Sequence, residues 1–147
     1  MSHASMAPSN FLLMGDFKKL RVWHESKDLT KDVFRVADKI QGTSARILRD
    51  QACRAVLSVP SNIAEGSAKS SDREFARFVK IAIGSLTELE SHLIIGQEVG
   101  IISDDDYMPL MDRLIEVARK LTGLLTTLIA SAEEAQRQRK PRRRKKQ

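Results

Sequence analysis

Ser58-Val59-Pro60-Ser61-Asn62-Ile63-Ala64-Glu65-Gly66 lies inside a strongly helical pattern, yet it holds a proline, two serines, an amide, a carboxylate that looks buried and a closing glycine. Pro60 has no backbone N–H and its ring crowds the carbonyl of Val56, so at an interior position it kinks or ends a helix. The carbonyls near Val56 and Leu57 then need other donors, which Ser61 and Asn62 can supply locally or across an interface. A helix selected only for helicity does not carry these residues. The rest of the chain reads as scaffolding that holds them.

Working outward, Leu48, Ala52, Ala55, Val59 and Ile63 form the apolar stripe of a helix from about Ser44 to Glu65. Arg54, Ser58, Ser61 and Glu65 repeat at steps of four, three and four and form a polar stripe on a different face. Upstream, Leu29, Val33, Val36 and Ile40 predict a helix over about Val22–Ile40, with Trp23 and Phe34 beside the stripe and Gly42 near its C-cap. Downstream, Ser71-Asp72-Arg73-Glu74 is a capping box: the Ser71 hydroxyl accepts from the Glu74 amide while the Glu74 side chain reaches back. The helix it opens runs to about Val99, with Phe75, Phe78, Ala82, Leu86, Leu89, Leu93 and Gly96 inside and Ser85, Glu88 and His92 in a polar row beside them. Gly84 costs about 1 kcal/mol relative to Ala in mid-helix, and a close helix contact is the expected reason for it. Gly100 ends this helix. Ser103 caps a fourth, and Asp104, Asp105 and Asp106 favour its dipole. Pro109 is tolerated so early in a helix. Tyr107, Leu110, Leu114, Val117, Leu121, Leu124 and Leu128 give that helix nearly four heptads, and it is expected to fade after Ala130.

Four amphipathic helices with short connections specify an all-α protein, an antiparallel up-down-up-down four-helix bundle. The bundle is expected over residues 16–132, behind a disordered leader at 1–15 and ahead of a basic tail at 133–147. Met14 reads as an alternative start that leaves residues 1–13 dispensable. The 147 residues are one domain's worth, and five Phe, one Tyr and one Trp leave an aliphatic core. A single cysteine, Cys53, excludes an internal disulfide and reads as an inert helix residue. No apolar run approaches the roughly 18 residues of a membrane span. A cytoplasmic protein with no membrane partner is the expectation.

The net charge of +6 divides unevenly. Arg137, Arg139, Lys140, Arg142, Arg143, Arg144, Lys145 and Lys146 put eight of the 25 Lys+Arg in the last eleven residues, with no anion. The remaining 17 face all 19 Asp+Glu, so the body carries −2. Such a run repels itself, stays disordered alone, and binds phosphates with strong salt dependence. Without interleaved aromatic residues, little sequence specificity is expected. A plain solubility tail is the other reading.

No nucleophile with a base partner and no glycine-rich phosphate loop is present, so a non-enzymatic protein without cofactor is the expectation. His3, His24 and His92 lack metal-ligand spacing, and Asp104–Asp106 point in different directions on a helix. The polar stripe of Arg54, Ser58, Ser61 and Glu65, with Asn62, admits two readings: packing and subunit assembly, or direct ligand contact. Glu88 and Ser85 face the same choice, with Arg54 the expected partner of Glu88.

Ser58 to Gly66 resembles the signature of the 23S rRNA intervening-sequence family of four-helix-bundle proteins. Phe17-Lys18-Lys19-Leu20 with Val22-Trp23 resembles the family's opening, Glu74-Phe75 with Phe78 the start of its third helix, and Ile81-Ala82-Ile83-Gly84-Ser85-Leu86-Thr87-Glu88-Leu89-Glu90 its second motif. The resemblance covers about residues 16–130. His24-Glu25-Ser26 departs from it, on the outer face of the first helix. Family members are similar to the accessory variability protein of diversity-generating retroelements, a barrel-shaped homopentamer that binds nucleic acid and a reverse transcriptase. The resemblance implies a ring-forming, RNA-associated accessory factor. Arg54, Ser58, Pro60, Ser61, Asn62, Glu65, Gly66, Gly84, Ser85 and Glu88 are its candidate signature and assembly residues, and the eight tail cations are the candidate contacts to RNA or DNA. The alternative is a protein-interaction or structural module, such as a docking ring for a polymerase.

Overall fold

A computed structural model describes residues 15–140. Its elements are a 3-10 turn at Phe17–Lys19 followed by α1 (Arg21–Ala37), α2 (Thr43–Ser67), α3 (Asp72–Glu98) and α4 (Asp104–Arg139), with no strand among the described residues. The expected leader, residues 1–14 of it at least, lies outside the described residues. None of the described helices is long and apolar enough to cross a membrane.

Each helix packs on the next in sequence and α4 closes on α1, while the diagonal pairs α1/α3 and α2/α4 make no close backbone approach. Cross-helix contacts fix which ends are together. Lys39, just past α1, pairs with Asp106 in the first turn of α4 at 3.0 Å, and Lys120 of α4 pairs with Glu25 near the start of α1. Gln97 near the end of α3 donates to Asp104 at 2.9 Å, while Ser131 near the end of α4 donates to Asp72 at the start of α3.

The core is aliphatic. Leu29, Val56, Val59, Ile63, Val79, Leu89, Val117 and Leu121 are fully buried, and Leu86 and Leu93 nearly so. Each such side chain contributes about 1.5–3 kcal/mol relative to exposure. The expected stripes supply most of this core, with differences at their edges. Ile40 is buried but lies beyond α1, and Phe34 stays 40% exposed. Leu48 is only half-buried, whereas Ala45 and Val56 join the core of α2.

The helix ends follow their capping chemistry. Ser71 Oγ accepts from the Glu74 amide at 3.2 Å, and no return bond from the Glu74 side chain forms. Gly100 adopts φ +77 and closes α3 as a Schellman turn, with Ile101 N donating to Gly96 O at 2.9 Å and Gly100 N to Gln97 O at 3.1 Å. Gly42, expected near the C-cap of α1, instead stands at the N-cap of α2 with φ 110. The fourth helix does not fade after Ala130 but continues to Arg139. Glu133 and Glu134 dilute the positive charge there, and cations at a helix C-terminus favour its dipole. The boundary expected at residue 132 therefore falls within a helix.

Candidate functional site

Pro60 does not end α2, which is continuous from Thr43 to Ser67. The acceptor deprived by the proline is the carbonyl of Val56. The hydroxyl nearest it comes from α1: Thr30 Oγ1 lies 3.3 Å from Val56 O and 2.8 Å from Ser26 O, so its one proton is shared between the two carbonyls. Ser61 Oγ donates to Leu57 O at 2.8 Å, as its type and position suggested. Asn62 Nδ2 donates to Ser58 O at 2.8 Å and to Ser58 Oγ at 3.0 Å. Ser58 Oγ meets Ser85 Oγ at 2.8 Å, so the Pro60 segment and the Gly84-Ser85-Leu86 segment are joined by a hydroxyl pair across α2 and α3. The role of Thr30 was not read from the sequence. Its only sign there is a hydroxyl residue one step from Leu29 in an otherwise apolar stripe.

The Ser58–Ser85 bond sets two exposed stripes side by side. On α2 the stripe holds Ile47, Arg54, Ser58, Ser61 and Glu65; on α3 it holds Ile81, Ser85, Glu88, His92, Ile95 and Val99. Both repeat at steps that keep one helical face. Ile47, Ile81, Ile95 and Val99 are between 47% and 69% exposed, so the face is mixed, apolar at its Ile47, Ile95 and Val99 end and polar at its Glu65 end. Three expectations are corrected here. Glu65 is exposed rather than buried, because its position continues this outer stripe. Arg54 forms no ion pair among the described residues; Glu88 instead meets His92 at 3.3 Å, one helical turn along its own stripe. Gly84 serves no close contact, since a Cβ there meets nothing within 4 Å. The close α2/α3 approach falls at Gly66, where a Cβ would lie 2.7 Å from Phe78 Cβ, and at Gly96, where it would lie 3.0 Å from Leu48 Cδ2.

On the other side of α2, Leu57, Pro60 and Ala64 form one wall of a groove of about 400 Å³ whose opposite wall is Trp23, Thr30 and Phe34. Lys27 and Lys31 stand at it, and no carboxylate lines it. Lys27 Nζ lies 5.4 Å from the Trp23 ring centroid and Phe17 packs edge-on against the same indole at 4.7 Å. The sequence placed Trp23 and Phe34 beside the core but gave no sign that they would face Pro60.

Of the tail cations, Arg137 and Arg139 lie on α4 and Lys140 is its C-cap; all three are exposed. Arg137 Nε pairs with Glu134 at 3.4 Å. Arg142, Arg143, Arg144, Lys145 and Lys146 lie outside the described residues. The last fully packed residue of α4 is Leu128, so about three turns (3.6 residues each) project past the core. Cys53 is half-buried, and burial together with Asp50 pushes its thiol above the ordinary pKa. No cluster of three or more metal-ligating side chains occurs among the described residues.

Residues 18–123 match the family model described as 23S rRNA-intervening sequence protein. No curated protein matches the chain significantly.

Proposed function

The chain belongs to the 23S rRNA-intervening sequence protein family, and from that premise we propose a non-enzymatic, oligomeric accessory protein that binds nucleic acid largely without sequence specificity, RNA in preference. The observation that carries this reading is the placement of charge. Eight of 25 cations fall in the last eleven residues, beyond a body of net −2, and begin on an exposed helical extension. The family's description names an intervening sequence of 23S rRNA, which favours RNA over DNA.

The cross-helix pairs favour an antiparallel up-down-up-down bundle. The α2/α3 face, with exposed Ile47, Ile81, Ile95 and Val99 beside Arg54, Ser58, Ser85 and Glu88, suits self-association. Its pairing into a homopentamer is carried by the family resemblance. Several tails on one ring would bind multivalently and raise avidity without reading sequence.

Binding of mixed RNA and of duplex DNA to the full chain and to a chain ending at Ala132, across a salt series with light scattering, tests this. If all eight tail cations engage, log K falls with log salt at a slope of about −6 on a single strand and about −7 on duplex DNA. Loss of binding on truncation, with the oligomer unchanged, supports the tail as effector. Failure of the full chain to bind either nucleic acid refutes the reading.

The second reading is a protein-docking module, for a reverse transcriptase or another protein. The apolar groove between Phe34 and Pro60 favours it. An apolar interface would persist at salt concentrations that release nucleic acid.

A further inference from the structure

A second cationic feature belongs to the folded body. Arg73, Arg77 and Lys80 stand at steps of four and three on α3, one face over the helix's first turns. All three are exposed, and none forms an ion pair among the described residues, as is also true of Arg46 and Arg54. They line a cleft of about 1020 Å³ whose other wall is the last turns of α4, from Ile129 to Arg139. Arg139 lines its outer end, about 12 Å along α4 from Ser131. The Ser131–Asp72 hydrogen bond joins the two walls. Glu74 and Glu133 also line the cleft. Arg77 is steadied against the Phe78 ring at 5.3 Å, and Lys69 lies over the same ring at 5.1 Å.

The charge balance singles out this end of the molecule. Of the described residues, 69–80 and 131–140 together hold seven of 20 Lys+Arg and four of 19 Asp+Glu, leaving 13 cations and 15 anions elsewhere. All of the positive excess of the described residues therefore belongs to the α3 start and the α4 end. Arg73 and Arg77 are about 6 Å apart along the helix axis and Lys80 about 4.5 Å further. Long side chains on that spacing can each hold a different phosphate of an extended backbone.

We propose that the cleft between the α3 stripe Arg73, Arg77 and Lys80 and the Arg139 end of α4 binds the sugar–phosphate backbone of a single nucleic-acid strand, as a body site continuous with the tail. This rests on the nucleic-acid reading above and locates its binding surface on the fold. A duplex meets only the rim of a cleft between two helices. No aromatic side chain lines it, so the site reads backbone and not base.

The test uses the full chain and fluorescein-labelled single-stranded RNA, single-stranded DNA and duplex DNA, followed by anisotropy in a salt series. Arg73→Gln/Arg77→Gln/Lys80→Gln keeps the tail and removes three candidate phosphate contacts. On single strands its log–log salt slope should be shallower by about 2, with affinity at moderate salt down tenfold or more; duplex binding should change less. Arg73→Lys/Arg77→Lys/Lys80→Arg keeps the charge and should bind as the parent does. Arg35→Gln/Arg46→Gln/Arg49→Gln removes equal charge at the opposite end and should bind single strands as the parent does. If the first variant matches the parent while truncation at Lys140 abolishes binding, the cleft site is overturned and the tail reading stands. Equal losses in the first and third variants also overturn the site, because net charge alone then explains them. If the parent binds none of the three probes, the nucleic-acid reading itself falls. A misfolded first variant is recognised by circular dichroism, and single replacements of Arg73 or Lys80 by Gln then decide, each expected to reduce the slope by about 0.7.

Discussion

Thr30→Val tests the way the bundle accommodates Pro60. The substitution keeps shape and removes the hydroxyl that reaches Val56 O at 3.3 Å. The Val56 carbonyl has no amide donor one turn on, because residue 60 is proline. A buried acceptor left unpartnered costs about 1–3 kcal/mol. The 3.3 Å separation is long for a hydroxyl bond, which places the loss at the lower end, about 1–1.5 kcal/mol. The second bond, to Ser26 O, adds little, since that carbonyl also has the Thr30 amide of its own helix. Pro60→Ala supplies the missing amide to Val56 O. In that background Thr30→Val should cost below about 0.5 kcal/mol, giving a coupling of about 1 kcal/mol in the double-mutant cycle. Urea unfolding of the four proteins at one fixed protomer concentration reads it out, since self-association shifts apparent stability. An equal cost of Thr30→Val in both backgrounds would refute the argument that Thr30 serves the proline.

Gly66→Ala should lose about 1–3 kcal/mol, because a Cβ would lie 2.7 Å from Phe78 Cβ, and Gly96→Ala should lose less, because the atom met at 2.6 Å, Ile102 Cδ1, is the end of a side chain that can turn away. Gly84→Ala, in open space, should gain about 0.5–1 kcal/mol; urea midpoints separate the three. Ser58→Ala and Ser85→Ala should show a coupling of about 0.5–1.5 kcal/mol, and strictly additive losses would show that the hydroxyl pair does not form. Burial raises the Cys53 thiol, so less thiolate is present at a given pH in the folded protein than in the unfolded chain. Its alkylation by iodoacetamide should follow a rate profile displaced to higher pH when folded, with the displacement vanishing in urea.

Helix number and order were legible because each helix is a single amphipathic pattern bounded by local signals. Ser71, Gly100 and Ser103 act on backbone groups within a few residues, and the structure shows them doing so. The departures from the sequence reading are tertiary. Gly96 lies on the inner stripe and Gly84 off it, and the close approach falls at Gly96, which receives Ile102 and Leu48, while Gly84 faces open space. Arg54 and Glu88 look like a pair from their stripes, but His92 is closer to Glu88 along its own helix. The last turns of α4 lie beyond the expected end because they carry no large apolar residue after Ile129, so no apolar period marks them.

Local chemistry in the chain was enough to define four helices, their caps, an aliphatic core and a basic end, since periodicity and capping act over three or four residues. Contacts between residues far apart in sequence were not: Thr30 with Val56, Ser58 with Ser85, Phe34 with Pro60, and the cleft that Arg73, Arg77 and Lys80 line together with the last turns of α4. Those depend on the rotation and axial register of one helix against another. That register is set by the sum of many small packing contacts, and no single residue encodes it.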